Sequence, residues 1–306
     1  MDKIDYEDED TPYYIYIALA LTAVGMTSCS EETLPTDKPT DSKGIEMKLL
    51  MTHPGSKTRA TATDFEAGDK TGVFVTLADK PLQVGGNVVN NETLTFIDDE
   101  WKAAKKLYWD EGTYNVYAYY PYISNVSSIE DQPFSISLDQ SKEKTATALG
   151  GYEASDLLYA TSKGVVASEE PVHLTFKHIM SKLTIRLIKG EDFEGEMPAN
   201  AIVYVHNTVP EATIDLQAGV ATRNAKATRK TIIAHHDGDY LYSAIVVPQR
   251  IENRMPLIEV VMNNMSYLYE SKFQFKPGME QLVNLIIPNN PDNIRIDIAG
   301  DVKNWE

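Results

Sequence analysis

The side chains able to do chemistry are scattered along this 306-residue chain. Its six histidines stand at 53, 173, 178, 206, 235 and 236. His173 and His178 share one extended segment, and their spacing turns them to opposite faces if that segment is continuous. His235 and His236 are adjacent and also point apart, which makes a poor metal pair. A single cysteine, Cys29, excludes a disulfide framework and any cysteine-based zinc site. There is no phosphate-cradling glycine loop, no HExxH and no Gly-x-Ser-x-Gly elbow. Asp and Glu number 45 against 28 Lys and Arg, yet nothing in their spacing pairs two carboxylates across a cleft. The chain is therefore expected not to be an enzyme, with no catalytic residue, no metal and no cofactor. A net charge of −17 with no basic stripe repels phosphate backbones, so no nucleic-acid partner is expected. The tyrosine-rich run "YNVYAYYPY" (114–122) has the ring faces of a sugar-stacking platform, but half-buried strand positions use tyrosine too, and packing is the favoured reading.

Cys29 has a more specific setting. Residues 13–26, "YYIYIALALTAVGM", are apolar over a length too short to span a bilayer comfortably and suited to the core of an export signal. "MTSC" then resembles a bacterial lipobox, in which the thiol receives a diacylglycerol and the new amino group an acyl chain. More than one chain makes such anchoring stable, at about 0.8 kcal/mol per buried methylene. "SEE" (30–32) resembles the acidic tag that sends some lipoproteins to the outer surface. Residues 2–10, "DKIDYEDED", depart from the usual basic start and read as a misassigned start or an unusual extension. The expectation is a signal peptide over 1–28, lipidation at Cys29, a polar proline-containing tether over 29–43, and a place on the outer membrane. No later run is long enough to span.

The rest reads as short strands between turns. "GIEMKLLMT" (44–52) is a candidate first strand, followed by the small, polar "HPGSKTRATATDF" (53–65). "TGVFVTL" (71–77), "GTYNVYAYYPY" (112–122) and "FSISL" (134–138) are strand-like. "LTFIDDEWKA" (94–103) predicts a hairpin closing at Asp98–Asp99, and "LIEVVMNNMSYLYESKF" (257–273) one closing at Asn263–Asn264. The one tempting helix is "DEWKAAKKLYW" (99–109), whose Trp101 and Tyr108 fit strand ends equally well. In "PVHLTFKHIMSKLTIRLIKG" (171–190), Val172, Leu174, Phe176 and His178 lie on one parity and Leu183, Ile185 and Leu187 on the other. Such a phase change means a bulge or a change of sheet, and a domain boundary is placed at 178–182. "AIVYVHN" (201–207), "ATIDL" (212–216), "KTIIAHH" (230–236), "LYSAIVVP" (241–248), "QLVNLIIP" (281–288) and "IRIDIAG" (294–300) continue the style. An all-β sandwich architecture follows.

Five blocks resemble the fimbrillin family, the subunits and accessory proteins of type V pili. They are "RATATDFEAGDKTGVFV" (59–75), "DLLYATS" (156–162), "VHLTFKHIMSKLTIRL" (172–187), "YSAIVVPQ" (242–249) and "FKPGMEQLVNLII" (275–287). Gly68 suits a turn with Asp69 bonding nearby amides, and Pro277–Gly278 suits a type II turn into the last long strand. The resemblance implies two tandem transthyretin-like Greek-key β-sandwiches, here 44–179 and 180–306. It also implies cleavage at a basic residue, matched by Arg59 in "KTRAT", release of a first strand, and filling of the groove by another pilin subunit. The expected function is a lipid-modified surface pilus component in adhesion. The alternative is a surface glycan-binding lipoprotein.

Overall fold

The computed structural model describes residues 44–54, 65–252, 254–297 and 302–305. Cys29, the apolar run before it, and Arg59 lie outside these residues. Gly44–Glu306 forms one compact unit, and among the described residues its regular structure is all β apart from two single helical turns. The early strands are β1 (Ile45–Glu46), β2 (Leu49–Thr52), β3 (Lys70–Leu77), β4 (Val89–Ile97), β5 (Glu100–Ala103), β6 (Tyr108–Trp109), β7 (Thr113–Tyr120), β8 (Gln132–Ser135), β9 (Leu158–Val166), β10 (Val172–Thr175), β11 (Lys177–His178) and β12 (Ser181–Lys189). The later ones are β13 (Ile202–Thr208), β14 (Glu211–Asp215), β15 (Val220–Arg223), β16 (Lys230–Ile233), β17 (His235–Gly238), β18 (Leu241–Val246), β19 (Gln249–Ile251), β20 (Pro256–Met262), β21 (Met265–Glu270), β22 (Phe273–Phe275), β23 (Met279–Ile287), β24 (Arg295–Asp297) and β25 (Val302–Asn304).

Local chemistry explains the turns. β4 and β5 are joined by Asp98–Asp99, with φ of 54° and 59°, and β20 and β21 by Asn263–Asn264, with φ of 49° and 61°. These are the left-handed pairs that match the twist of a tight hairpin, and Asp and Asn tolerate them better than other side chains. Gly278 has φ +66° and Met279 N donates to Lys276 O, as the Pro277–Gly278 turn requires. Asp69 Oδ2 accepts from Glu66 N at 2.9 Å beside Gly68 at φ +96°. The tempting helix at 99–109 is absent: its residues form β5, a turn and β6. The residues of "GIEMKLLMT" form two strands, and "KTIIAHH" divides at Ala234 between two sheets.

The sheet β11-β9-β7-β3-β4-β5 has apolar side chains on both faces. Tyr114, Val116, Ala118 and Tyr120 of β7 enter one core with Val73, Val75, Leu158 and Ala160. Tyr117 and Tyr119 enter another with Phe74, Leu157 and Tyr159. An antiparallel sheet covered on both sides must read as near-continuous apolar sequence, which is why "YNVYAYY" shows no polar face. Packing against the second core is tight. A Cβ on Gly72 would lie 2.4 Å from the Tyr119 ring. The second core continues through the sheet β17-β18-β12-β23-β24 and the sheet β16-β13-β20-β21.

The phase change in 171–190 is real and has a cause. Val172, Leu174 and Phe176 belong to the first core, and Met180, Leu183, Ile185 and Leu187 to the second. The chain passes from one core to the other at Ile179–Ser181. A smaller sheet, β15-β14-β8, ties residues 132–135 to 211–215.

Candidate functional site

The first segment of the described chain sits on the first core as a ribbon of two short strands. β1 pairs with β6, Met47 N donates to Leu107 O, and β2 then pairs in parallel with β10, Leu49 opposite Val172 through Thr52 opposite Thr175. Alternation sends Met47 (7% exposed) and Met51 (2%) inward, while Leu50 (41%) faces out. β2 and β10 form a two-stranded sheet of their own. Between this ribbon and the β4–β5 hairpin runs a groove of about 660 Å³ lined by Met47, Leu49, Met51, Leu94, Phe96 and Trp101.

β2 leads directly to His53, and the chain returns to the described residues at Phe65. The two rings lie 5.1 Å apart, edge to face. Phe65 also packs on Phe96, Trp101, Tyr120 and Phe176. Both flanks of the segment carrying Arg59 are therefore pinned at one place, the end of the ribbon. Just beyond it, Asp69 (4% exposed) is paired with Lys144 at 2.8 Å, and Lys144 also reaches Glu66 at 2.8 Å. Burial pulls the Lys144 pKa down, but bonds to Asp69 and Glu66 outweigh it and hold it above its ordinary value. Burial, with Asp69 and Asp156 nearby, raises the Tyr120 hydroxyl above its ordinary value.

One cluster escaped the sequence reading. His53, Asp156 and His178 each offer a donor atom within 4.8 Å of the other two. His178 Nδ1 lies 2.7 Å from Asp156 Oδ1, and the His178 ring stacks on Trp305, centroids 3.7 Å apart and planes 5° from parallel. The members are far apart in sequence, so no motif joins them. The available signal was His178 itself: it shares the parity of Val172, Leu174 and Phe176, and a histidine on a core face needs a partner. The remaining histidines are placed elsewhere. His206 bonds Thr231 and Glu259, and His236 stacks on Tyr242. The tyrosine run offers no open platform, since Tyr114, Tyr117, Tyr119 and Tyr120 are all buried.

At the far edge, Glu280 of β23 receives Lys303 of β25 at 3.0 Å, the Thr184 hydroxyl at 2.8 Å, and Lys182 at 3.7 Å. Burial pushes its pKa up, but these donors and cations together hold it below its ordinary value.

A sequence model described as fimbrillin-like matches residues 58–305. The chain belongs to the fimbrillin-like family. No curated protein matches it. The fold of this fimbrillin-like chain is shared with solved structures. A candidate cell adhesion protein from Bacteroides uniformis is 22% identical, with 88% of this chain and 100% of that one covered and a TM-score of 0.65. Another, from Bacteroides ovatus, is 21% identical over 86% and 98%, with a TM-score of 0.66. A fimbrial protein from Bacteroides ovatus is 18% identical over 81% of this chain and 49% of that one, with a TM-score of 0.50. At these identities the likeness concerns the β-sandwich fold.

Proposed function

We propose that this chain is exported as a lipid-anchored, surface-exposed precursor of a pilus subunit, which polymerises by strand exchange after cleavage at Arg59. The observation that carries the reading is the ribbon. Among the described residues β2 has no neighbour but β10 within its sheet; it lies along a groove that includes Leu94, Phe96 and Trp101, and it continues toward Arg59 from a pinned end. A cut at Arg59 leaves residues 44–59 attached by noncovalent contacts alone. Their departure opens backbone donors and acceptors on β10 and alternate side-chain pockets, the two elements that β-augmentation requires. The incoming strand belongs to another pilin subunit. Until that cut, Cys29 carries the lipid and residues 30–43 tether the body to the outer membrane; the cut parts both from residues 60–306. The halves 44–179 and 180–306 act as two sandwiches, a division supported by the change of core at Ile179–Ser181 and bridged by the β8–β14 pairing. The work is noncatalytic.

The test is limited proteolysis of the purified chain followed by analytical ultracentrifugation, with Arg59→Ala as the control. Cut wild-type protein is expected to lose the 44–59 peptide and form polymers, while Arg59→Ala stays intact and monomeric. A nicked chain that remains monomeric at high concentration refutes strand exchange. Labelling with radioactive palmitate tests the anchor, and continued acylation of Cys29→Ala refutes it.

A further inference from the structure

We propose that His53, Asp156 and His178 form a binding site for a divalent transition metal ion, with Zn²⁺ the best match, and that the bound ion clamps the end of β2 to the body. Three side chains from three distant parts of the chain bring donor atoms within 4.8 Å of one another. His178 is preorganised. Its side chain is 2% exposed, its ring lies flat on Trp305, and Nδ1 is held by Asp156. An ion held by Nδ1 would take the place of the proton that Nδ1 and Asp156 Oδ1 share across 2.7 Å. His53 meets His178 edge-on at 5.6 Å between ring centroids.

The donor set selects the ion. Two imidazoles and one carboxylate suit Zn²⁺ and its first-row neighbours, with water completing a tetrahedron. Ca²⁺ and Mg²⁺ prefer shells of oxygen and are poorly served. Bonds of about 2.0–2.2 Å need donors about 3.3–3.5 Å apart, so shifts of about 1 Å close the site. They include a slight opening of the Asp156–His178 pair from 2.7 Å and a movement of His53, just past the end of β2. Asp156 immediately precedes the β9 segment and His178 lies in β11, so the ion joins the ribbon to the central sheet. Because it binds only when β2 is seated, opening of β2 falls about 100-fold at a metal concentration a hundred times the Kd. The link to subunit assembly rests on the strand-exchange reading; the metal site does not.

The experiment uses the uncut full chain carrying Cys29→Ser, so that no thiol competes. Co²⁺ is titrated alone, followed by visible absorption, and then displaced by Zn²⁺. One tetrahedral-type band per chain is expected. His53→Ala and Asp156→Asn should each weaken binding at least tenfold, while His206→Ala leaves it unchanged. His178→Gln provides a second reading if its fold is confirmed by circular dichroism. Binding that survives His53→Ala, that depends on His206, or that needs millimolar metal overturns the site. Hydrogen exchange at residues 49–52 is then measured with and without Zn²⁺. Slowing confirms the clamp, and unchanged exchange with bound Zn²⁺ overturns it. No polymerisation is involved, so failure here is separate from failure of the assembly reading.

Discussion

Met51→Ala, paired with Leu50→Ala, asks how β2 is held. The two residues are neighbours in one strand, and the truncations remove the same number of heavy atoms. Met51 is 2% exposed and sits in the first core, whereas Leu50 is 41% exposed. A buried methionine cut back to alanine costs about 2–5 kcal/mol, because the cavity collapses only in part. An outward-facing residue away from special features changes stability by about 0.5 kcal/mol or less. The backbone pairing is common to both variants: four residues opposite β10, each hydrogen bond worth about 1 kcal/mol net. The difference between the variants therefore reports the side-chain face.

If β2 opens as its own unit, the Met51→Ala penalty falls on that opening. At about 3 kcal/mol, the open population rises roughly 100-fold, since about 1.4 kcal/mol is a factor of ten. Native-state hydrogen exchange reads this directly at residues 49–52. Exchange at Leu183, Ile185 and Leu187, in the other core, should be far less affected under strongly native conditions. Equal effects of Met51→Ala and Leu50→Ala refute the claim that the inward face holds the strand. Equal acceleration at 49–52 and 183–187 refutes the claim that the ribbon opens separately.

Two further outcomes follow from other parts of the fold. Gln140 is fully buried, its Oε1 accepting from Ile245 N at 2.8 Å and its Nε2 donating to Ile245 O at 2.8 Å. Gln140→Leu strands both backbone groups at about 1–3 kcal/mol each, so urea unfolding should show a loss of about 2–5 kcal/mol, and a neutral result would discard this role. Glu280 has a lowered pKa, so the unfolded chain binds the proton more readily. Its contribution is present above the ordinary value of 4.5 and is lost as pH falls below that toward the lowered folded-state pKa. Glu280→Gln should flatten the stability–pH curve in that acid window and leave its slope near neutrality unchanged; an identical acid limb in both proteins would contradict the assignment.

What could be read from sequence was local. Asp98–Asp99, Asn263–Asn264, Gly68–Asp69 and Pro277–Gly278 declare turns through their own conformational preferences, and the shift of parity between Phe176 and Leu183 declares a change of core. Partner choice was not readable, because it is decided across more than a hundred residues. Nothing in "EMKLLMT" announces that Leu49–Thr52 pairs in parallel with Val172–Thr175. The lysine-rich 99–109 imitates a helix because an exposed hairpin edge and a helix surface both favour lysine. The His53–Asp156–His178 cluster needs the ribbon, the segment before β9 and β11 all placed first.

The division of apolar side chains between two cores explains why a ribbon could leave without taking the fold with it. Among the described residues, none before Phe74 contributes a buried apolar side chain to the second core. Losing β1 and β2 strips Met47, Leu49 and Met51 from the first core only, with Phe65, Phe96, Trp109 and Phe176 left in place. At about 1.5–3 kcal/mol per buried side chain, that is an upper bound of roughly 5–9 kcal/mol. Whole domains are stable by about 5–15 kcal/mol. An intact chain therefore keeps its ribbon seated almost all the time; on the strand-exchange reading, a cut at Arg59 lets the freed piece gain translational freedom, against which this burial still holds it. On that reading the remaining drive comes from an occupant that restores the same face. A strand with apolar residues at alternate positions meets that demand, and the deeper Met51 pocket is where its fit should matter most.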